Sequence, residues 1–349
     1  MYVGMLMKLY NKATLTDLTI CIFSFNRKLD LERLIKFISR SRAQILILDA
    51  SHEAIQIKNT TSLRYIHVPN MPLNQRLKKF SELATTKYIL LSPDDDYWAI
   101  NGLIKTVKFL EMNLDYASAQ GLRVRFFELP FFHWIPDYID QMKLHYFQND
   151  KIERLIDMAT GMHYIYSVIR RTEFLKITSC LLGVELIKRN SFAICELIFN
   201  YTLPILGKHR ILPVFYSARK AHAYEGSDIN FSLWVNDKSD KDSIKFRENM
   251  IDFYSKELEI SLTESESIFQ YLTYEISRQK PVIIEERFTS SKIFLRNFLT
   301  VTKLRVFRKM FKLKYLSFYW LLFSNKGFIL YIQDILCISQ YLKKHRLGQ

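Results

Sequence analysis

The sequence predicts an α/β protein built on a mostly parallel sheet with helices on both faces, and three observations carry that reading. Short apolar runs alternate with amphipathic segments through the first third of the chain, the pattern of strand–helix–strand units. Several of those runs end in polar residues suited to a charged ligand. The composition, 49% hydrophobic and 14% aromatic with nine glycines and eight prolines, provides a core and excludes disordered and collagen-like chains. No solenoid-period repeat or low-complexity tract interrupts the chain.

Leu18–Phe25 (LTICIFSF) reads as a buried first strand, ended by Asn26-Arg27. Leu31, Leu34, Ile35 and Ile38 recur at helical spacing behind Asp30, a suitable N-cap residue. Ile45–Leu48 is a second strand ending at Asp49, and Leu63–Val68 a third, closed by Pro69. Leu73, Leu77, Phe80 and Ala84 mark one helix face. Lys87–Leu91 (KYILL) is a fourth strand running into Ser92-Pro93-Asp94-Asp95-Asp96.

Further on, Gln120–Phe127 and Tyr164–Ile169 are expected strands, with an aromatic loop from Phe131 to about Tyr146 between them. Phe192–Leu203 is an expected helix containing Glu196, and Arg210–Tyr216 a late strand leading to Ala218-Arg219-Lys220-Ala221-His222. After Asn230 the pattern changes to charged amphipathic helices. A length of 349 residues accommodates this division, with residues 1–230 as one domain and 231–349 as a helical C-terminal region.

The net charge of +15 suits a polyanionic partner. Most of it lies in the tail: residues 288–349 hold twelve Lys/Arg against one acid, Asp334, or +11 of the total. Apolar residues are interleaved there, but Tyr315–Phe323 is nine residues long, short of the ~20 needed to span a bilayer. The tail therefore reads as a basic amphipathic segment for an anionic membrane surface, with a helical subdomain packed on the core, or an oligomer interface, as the other reading. Cys21, Cys180, Cys195 and Cys337 form no C-x-x-C pair or zinc spacing, which suits buried thiols in a reducing compartment. The N-terminus MYVGMLMKLYNK is too short and interrupted for a signal peptide. The expected location is cytoplasmic, peripheral on the inner face of the membrane.

Parallel sheets bind ligands at the carboxyl ends of their strands. Ser24, Asn26 and Arg27, Asp49 and Ser51, and Asp94–Asp96 occupy three such ends. Adjacent carboxylates at a strand end repel unless a cation joins them, and a hard divalent ion takes one or two such oxygens with water and phosphate. The bland alternative is a solvated acidic turn.

The runs LTICIFSFNR, ILILDAS and NQRLKKFSELATTKYILLSPDDD resemble the nucleotide-binding half of family-2-type GT-A glycosyltransferases, over roughly residues 17–225 and closest to a bacterial surface-polysaccharide subgroup. The pair of acids with Gly-Ser usual after the second strand is here Asp49-Ala50-Ser51. The resemblance implies a nucleotide-sugar donor, with a UDP-sugar as the default, and a divalent cofactor, Mn²⁺ or Mg²⁺. Ser24, Asn26 and Arg27 would border the nucleotide, Asp49 would face base or ribose, and Arg76 would approach it. Asp94 and Asp96 would be the outer acids of the metal motif around Asp95. His222 would approach metal or diphosphate, beside Arg219 and Lys220. FAICELIFNYTLPILGKHRIL resembles the segment of inverting members that supplies a general base, which places Glu196 in that role. A glycan or lipid-linked acceptor in cell-surface polysaccharide synthesis follows.

Other classes fit less well. A nucleotidyltransferase would carry a Gly-rich phosphate loop, and SFNRKLD has no glycine. A nucleic-acid-binding protein would explain the charge but not the acidic triplet, and no helix-turn-helix, RNP or zinc pattern is present, so no nucleic acid is expected. A non-catalytic membrane-associated scaffold of the same fold stays open.

Overall fold

The computed structural model describes residues 15–127, 133–136, 146–158, 164–185, 192–220 and 234–278, together with Ile338 and Tyr341. A nine-stranded sheet organises them in the order β3-β2-β1-β4-β8-β6-β9-β5, with β7 paired to β6. The strands are β1 (Leu18–Ser24), β2 (Gln44–Asp49), β3 (Leu63–His67), β4 (Tyr88–Pro93), β5 (Tyr97–Trp98), β6 (Tyr116–Phe127), β7 (His133–Pro136), β8 (Val168–Arg170) and β9 (Lys208–Lys220). β1 to β4 are mutually parallel, as the apolar runs predict: strands covered on both faces read as continuous apolar sequence. Beyond β4 the sheet is mixed. β8 runs antiparallel to β4 and β6, β9 runs parallel to β6, and the two-residue β5 runs antiparallel to β9.

The helices are α1 (Lys28–Ile38), α2 (Leu73–Leu83), α3 (Ile100–Met112), α4 (Lys151–Met158), α5 (Arg171–Ser179), α6 (Phe192–Leu206), α7 (Lys241–Leu258) and α8 (Leu262–Arg278). α1 turns Leu31, Leu34, Phe37 and Ile38 inward, and α2 does the same with Leu73, Leu77 and Phe80. α3 lies so close to β9 that a Cβ on Gly102 would fall 2.1 Å from the Phe215 carbonyl oxygen. Side chains begin α7 and α8. Asp240 accepts from the Ser243 amide at 2.9 Å, while Ser261 and Glu264 exchange bonds as a capping box. α7 adds Phe246, Met250 and Tyr254 to the main core, and its Asn249 donates to the carbonyls of Cys180 and Leu182.

Some local expectations shift. α1 begins at Lys28 with Arg27 in the cap position, so Asp30 sits in the first turn and forms ion pairs there instead of capping. Tyr164–Ile169 is not one strand: Tyr164–Tyr166 is a 3-10 turn and the strand is Val168–Arg170. Part of the aromatic loop is strand β7. Most of the basic tail lies outside the described residues. Ile338 and Tyr341 are buried against Phe37, Tyr97, Leu122, Val124 and Phe126. Among the described residues, no helix is long and apolar enough to cross a membrane.

Candidate functional site

The sheet register brings the polar strand ends to one edge. Ser24 pairs with Asp49 across β1 and β2, and Phe23 pairs with Pro93 across β1 and β4, so Asp94 emerges beside Ser24. The Ser24 hydroxyl donates to Asp94 Oδ2 at 2.8 Å. Arg27, at the start of α1, donates to Asp95 Oδ2 at 2.5 Å and lies 3.6 Å from Asp94 Oδ1. Arg76 reaches in from α2 and donates to the Ser24 carbonyl at 3.0 Å.

The acids Asp94, Asp95 and Asp96 are only 4%, 3% and 3% exposed. Burial, with Asp95 adding to it, pushes the Asp94 carboxyl up to about 7, against the pull of Ser24 and Arg27. Burial likewise pulls the Arg76 guanidinium down to about 10, opposed by Cys195, Asp94 and Asp49. A carboxyl raised by burial, close to a buried guanidinium, is an arrangement poised for a charged ligand.

Asp49, expected to face base or ribose, is held by neighbouring side chains. It is fully buried. Oδ1 accepts from the amide and hydroxyl of Ser51, and Oδ2 accepts from the Tyr65 hydroxyl at 2.8 Å. Burial above all, with the Asp49 carboxylate contributing, pushes the Tyr65 phenol up to about 12. Both carboxylate oxygens of Asp49 are thus engaged, Oδ1 by Ser51 and Oδ2 by Tyr65. Asn26, expected beside the nucleotide, adopts a left-handed φ of 55°, which asparagine tolerates. Its amide donates to Ser51 Oγ at 2.7 Å and its side-chain oxygen accepts from the His52 amide, so it ties the ends of β1 and β2 together. Beside this turn Phe25 is 49% exposed and meets His52 edge to face, ring centroids 5.6 Å apart. This aromatic pair leaves no trace in the sequence, since a lone Phe between Ser24 and Asn26 carries no spacing signal.

The opposite side of the acids is built by β5 and β9. Tyr97 pairs with Ala218 antiparallel, so one step further sets Asp96 beside Arg219. Arg219 Nε lies 3.7 Å from Asp96 Oδ2, and the Lys220 amide donates to Asp96 Oδ1 at 3.2 Å. The Lys220 ammonium meets Asp30 of α1 at 2.9 Å.

Tyr166, also absent from the expected set, lies among these charges. Arg123 and Arg219 place their guanidinium carbons 5.0 and 5.6 Å from its ring centroid. Its phenol is held well above the usual range by burial first, then by Glu196 and Asp96, with Arg219 and Arg123 pulling the other way. Glu196 is thus within electrostatic reach of the group that holds Asp96 and Arg219, and it stands partly exposed in the first turns of α6. HYIYS reads as a strand in sequence, which hid the turn that brings Tyr166 here.

The carboxylate oxygens suit a hard divalent cation, but as part of a shell and not as a cage. Among the described residues, no group of three His, Cys, Asp or Glu side chains is arranged to hold a metal ion. Asp95 and Asp96 already face Arg27 and Arg219. The fit is therefore to an ion that takes one or two carboxylates and completes its shell with phosphate and water. His222 lies outside the described residues.

No protein-family model matches the sequence, and no curated protein does. Solved structures give partial likenesses. S. aureus TarS 1-349 superposes with a TM-score of 0.46 at 12% identity, over 77% of this chain and 76% of that one. S. aureus TarS 1-349 in complex with UDP-GlcNAc gives 0.44 at 12% identity, over 74% and 72%. S. aureus TarS gives 0.43 at 11% identity, and there the match spans 46% of the other chain.

Proposed function

We propose that the chain is a glycosyltransferase of the GT-A type that moves a sugar from a nucleotide-diphosphate donor, with a UDP-sugar as the default, to a glycan or lipid-linked acceptor in cell-surface polysaccharide synthesis. One observation carries this reading: a buried acidic triplet at the end of a parallel strand, gripped from one side by Ser24 and Arg27 and from the other by Arg219 and Lys220. A solvated acidic turn would not be 3–4% exposed.

Asp94 and Asp96 would hold a divalent ion, Mn²⁺ or Mg²⁺, which supplies charge neutralisation at the diphosphate. Arg27 and Arg76 line the nucleotide side, where the exposed Phe25–His52 pair offers the base an aromatic surface. Arg219 and Lys220 face the leaving diphosphate and offset the charge that grows there. Glu196 takes the proton of the acceptor hydroxyl as its oxygen attacks the anomeric carbon. The bond from that carbon to the diphosphate oxygen breaks, and the electron pair leaves with the nucleoside diphosphate. Attack opposite the leaving group inverts the anomeric configuration. General-base help of this kind is typically worth about 10²–10⁴-fold. The basic tail would hold the enzyme on an anionic membrane near its acceptor.

The test is a thermal-shift panel of nucleotide sugars with and without Mn²⁺, followed by transfer assays on the responding donor. Asp96→Asn is expected to abolish transfer while the fold survives. Full turnover in that variant, or in EDTA, removes the metal from the mechanism. Donor binding without transfer to any glycan or lipid acceptor favours a scaffold. The membrane half is checked with liposomes: binding should require anionic lipid and weaken with salt as charges become screened beyond roughly 8–10 Å.

A further inference from the structure

Tyr341 is buried, and its hydroxyl donates to the Arg33 carbonyl of α1 at 2.8 Å. Its ring meets Phe37 edge to face at 5.2 Å and lies 6.2 Å from Tyr97, while Arg40 stands over it at 5.4 Å. Phe37 and Tyr97 also touch each other, at 5.4 Å. The ring therefore joins the C-terminal half of α1 to β5.

Both of those elements end on the acidic triplet. Tyr97 is the residue directly after Asp96. The N-terminal half of α1 carries Arg27, on Asp94 and Asp95, and Asp30, on Arg33 and Lys220. The Lys220 amide completes the circuit at Asp96. α1 has eleven residues, and a helix of that length is marginal alone, so its orientation is fixed by what packs on it. A shift of its axis moves Arg27 at one end when packing is lost at the other.

We infer that Tyr341 is a positioning residue for the acidic turn: packed on α1 and β5, it sets where Arg27 and Asp96 stand for the donor. The inference rests on the glycosyltransferase reading for the identity of the ligand, but the coupling of tail to turn is measurable without it. It gives the C-terminal segment a part in the chemistry of a site formed by residues much earlier in the chain.

The experiment uses the full chain with Tyr341→Ala, Tyr341→Phe and, as a stability control, Leu272→Ala, which truncates a buried residue of α8. Amide hydrogen exchange and UDP binding in Mn²⁺ are measured beside the melting temperature. Tyr341→Ala should speed exchange at Asp94–Trp98 and Arg27–Arg33 and weaken UDP binding about fivefold or more, the scale of a coupling between sites. Tyr341→Phe keeps the ring and should restore binding to within about twofold of wild type, on the same scale. Leu272→Ala should lower the melting temperature without either change. If Tyr341→Ala does not fold, Tyr341→Leu takes its place with the same expectation. Tyr341 variants that lower only the melting temperature, with exchange at Asp94–Trp98 and UDP affinity as in wild type, overturn the inference. A wild-type protein that binds no UDP, yet shows the exchange effect in Tyr341→Ala, sinks the glycosyltransferase reading and leaves the coupling standing.

Discussion

The two halves of the sheet meet at the same acids but build their sides of the site by different means. β1 to β4 are parallel and in register, and their ends contribute through hydrogen bonds at and between neighbouring strand ends: Ser24 to Asp94, Asn26 to Ser51, Ser51 to Asp49. The β6–β9 half is mixed, shifts register at Tyr116/Ser118 and on either side of Leu122, and contributes through guanidinium contacts: Arg219 to Asp96, and Arg123 and Arg219 to Tyr166. The first half is a rigid cradle set by backbone register. The second is an assembly of side chains on which turnover, more than binding, should depend.

That division can be broken by kinetics. The largest effect is expected from Glu196→Gln in the second half: kcat should fall about 100-fold or more with nucleotide affinity nearly unchanged. A loss within a few-fold, or a product that retains the donor configuration, places the base elsewhere. Next comes the packing of α3 on β9. Gly102→Ala forces a methyl into the Phe215 carbonyl, where overpacking costs typically 1–3 kcal/mol, read as a lower denaturation midpoint. In the first half, Arg27→Gln removes a charged partner of Asp94 and Asp95 and should raise the donor KM roughly tenfold, about 1.4 kcal/mol, with a smaller change in kcat.

Stability should also depend on pH. The Asp94 carboxyl is raised to about 7 in the folded protein, so the native state holds a proton that the unfolded chain has lost. Stability without ligand should therefore fall as pH rises from about 4 to about 7 and then level off. Asp94→Asn should flatten that slope and melt higher than wild type at pH 8. A wild-type melting temperature that climbs steadily over this interval would show that Asp94 is not held in its neutral form.

The first half was legible because its physics is local. A parallel strand buried on both faces must be an apolar run, and LTICIFS, QILILD and YILLSP are such runs, each delivering a polar residue to the same edge. Arg27 and Asp94–Asp96 are legible as candidates from that placement, whereas Arg76, inside α2, is a candidate through the family resemblance alone. The antiparallel insertion of β8, the pairing of β5 with β9 and the packing of Tyr341 leave no periodic trace, since each depends on partners far away in sequence. Asp49 illustrates the limit. Its place at a strand end was readable, but the Tyr65 hydroxyl that occupies it arrives from β3, and nothing near Asp49 announces it.

The pairing of Arg27 with Asp95 and of Arg219 with Asp96 bears on the sequence in which ligands arrive. An ion entering alone would meet carboxylates already attended by guanidinium groups and would have to dislodge them with nothing to receive their charge. On the proposed reading, an ion entering on a diphosphate would bring its own replacement, since the phosphate could take up the arginines that the carboxylates release. Metal and nucleotide would then enter as one complex, and free metal would be a poor first ligand.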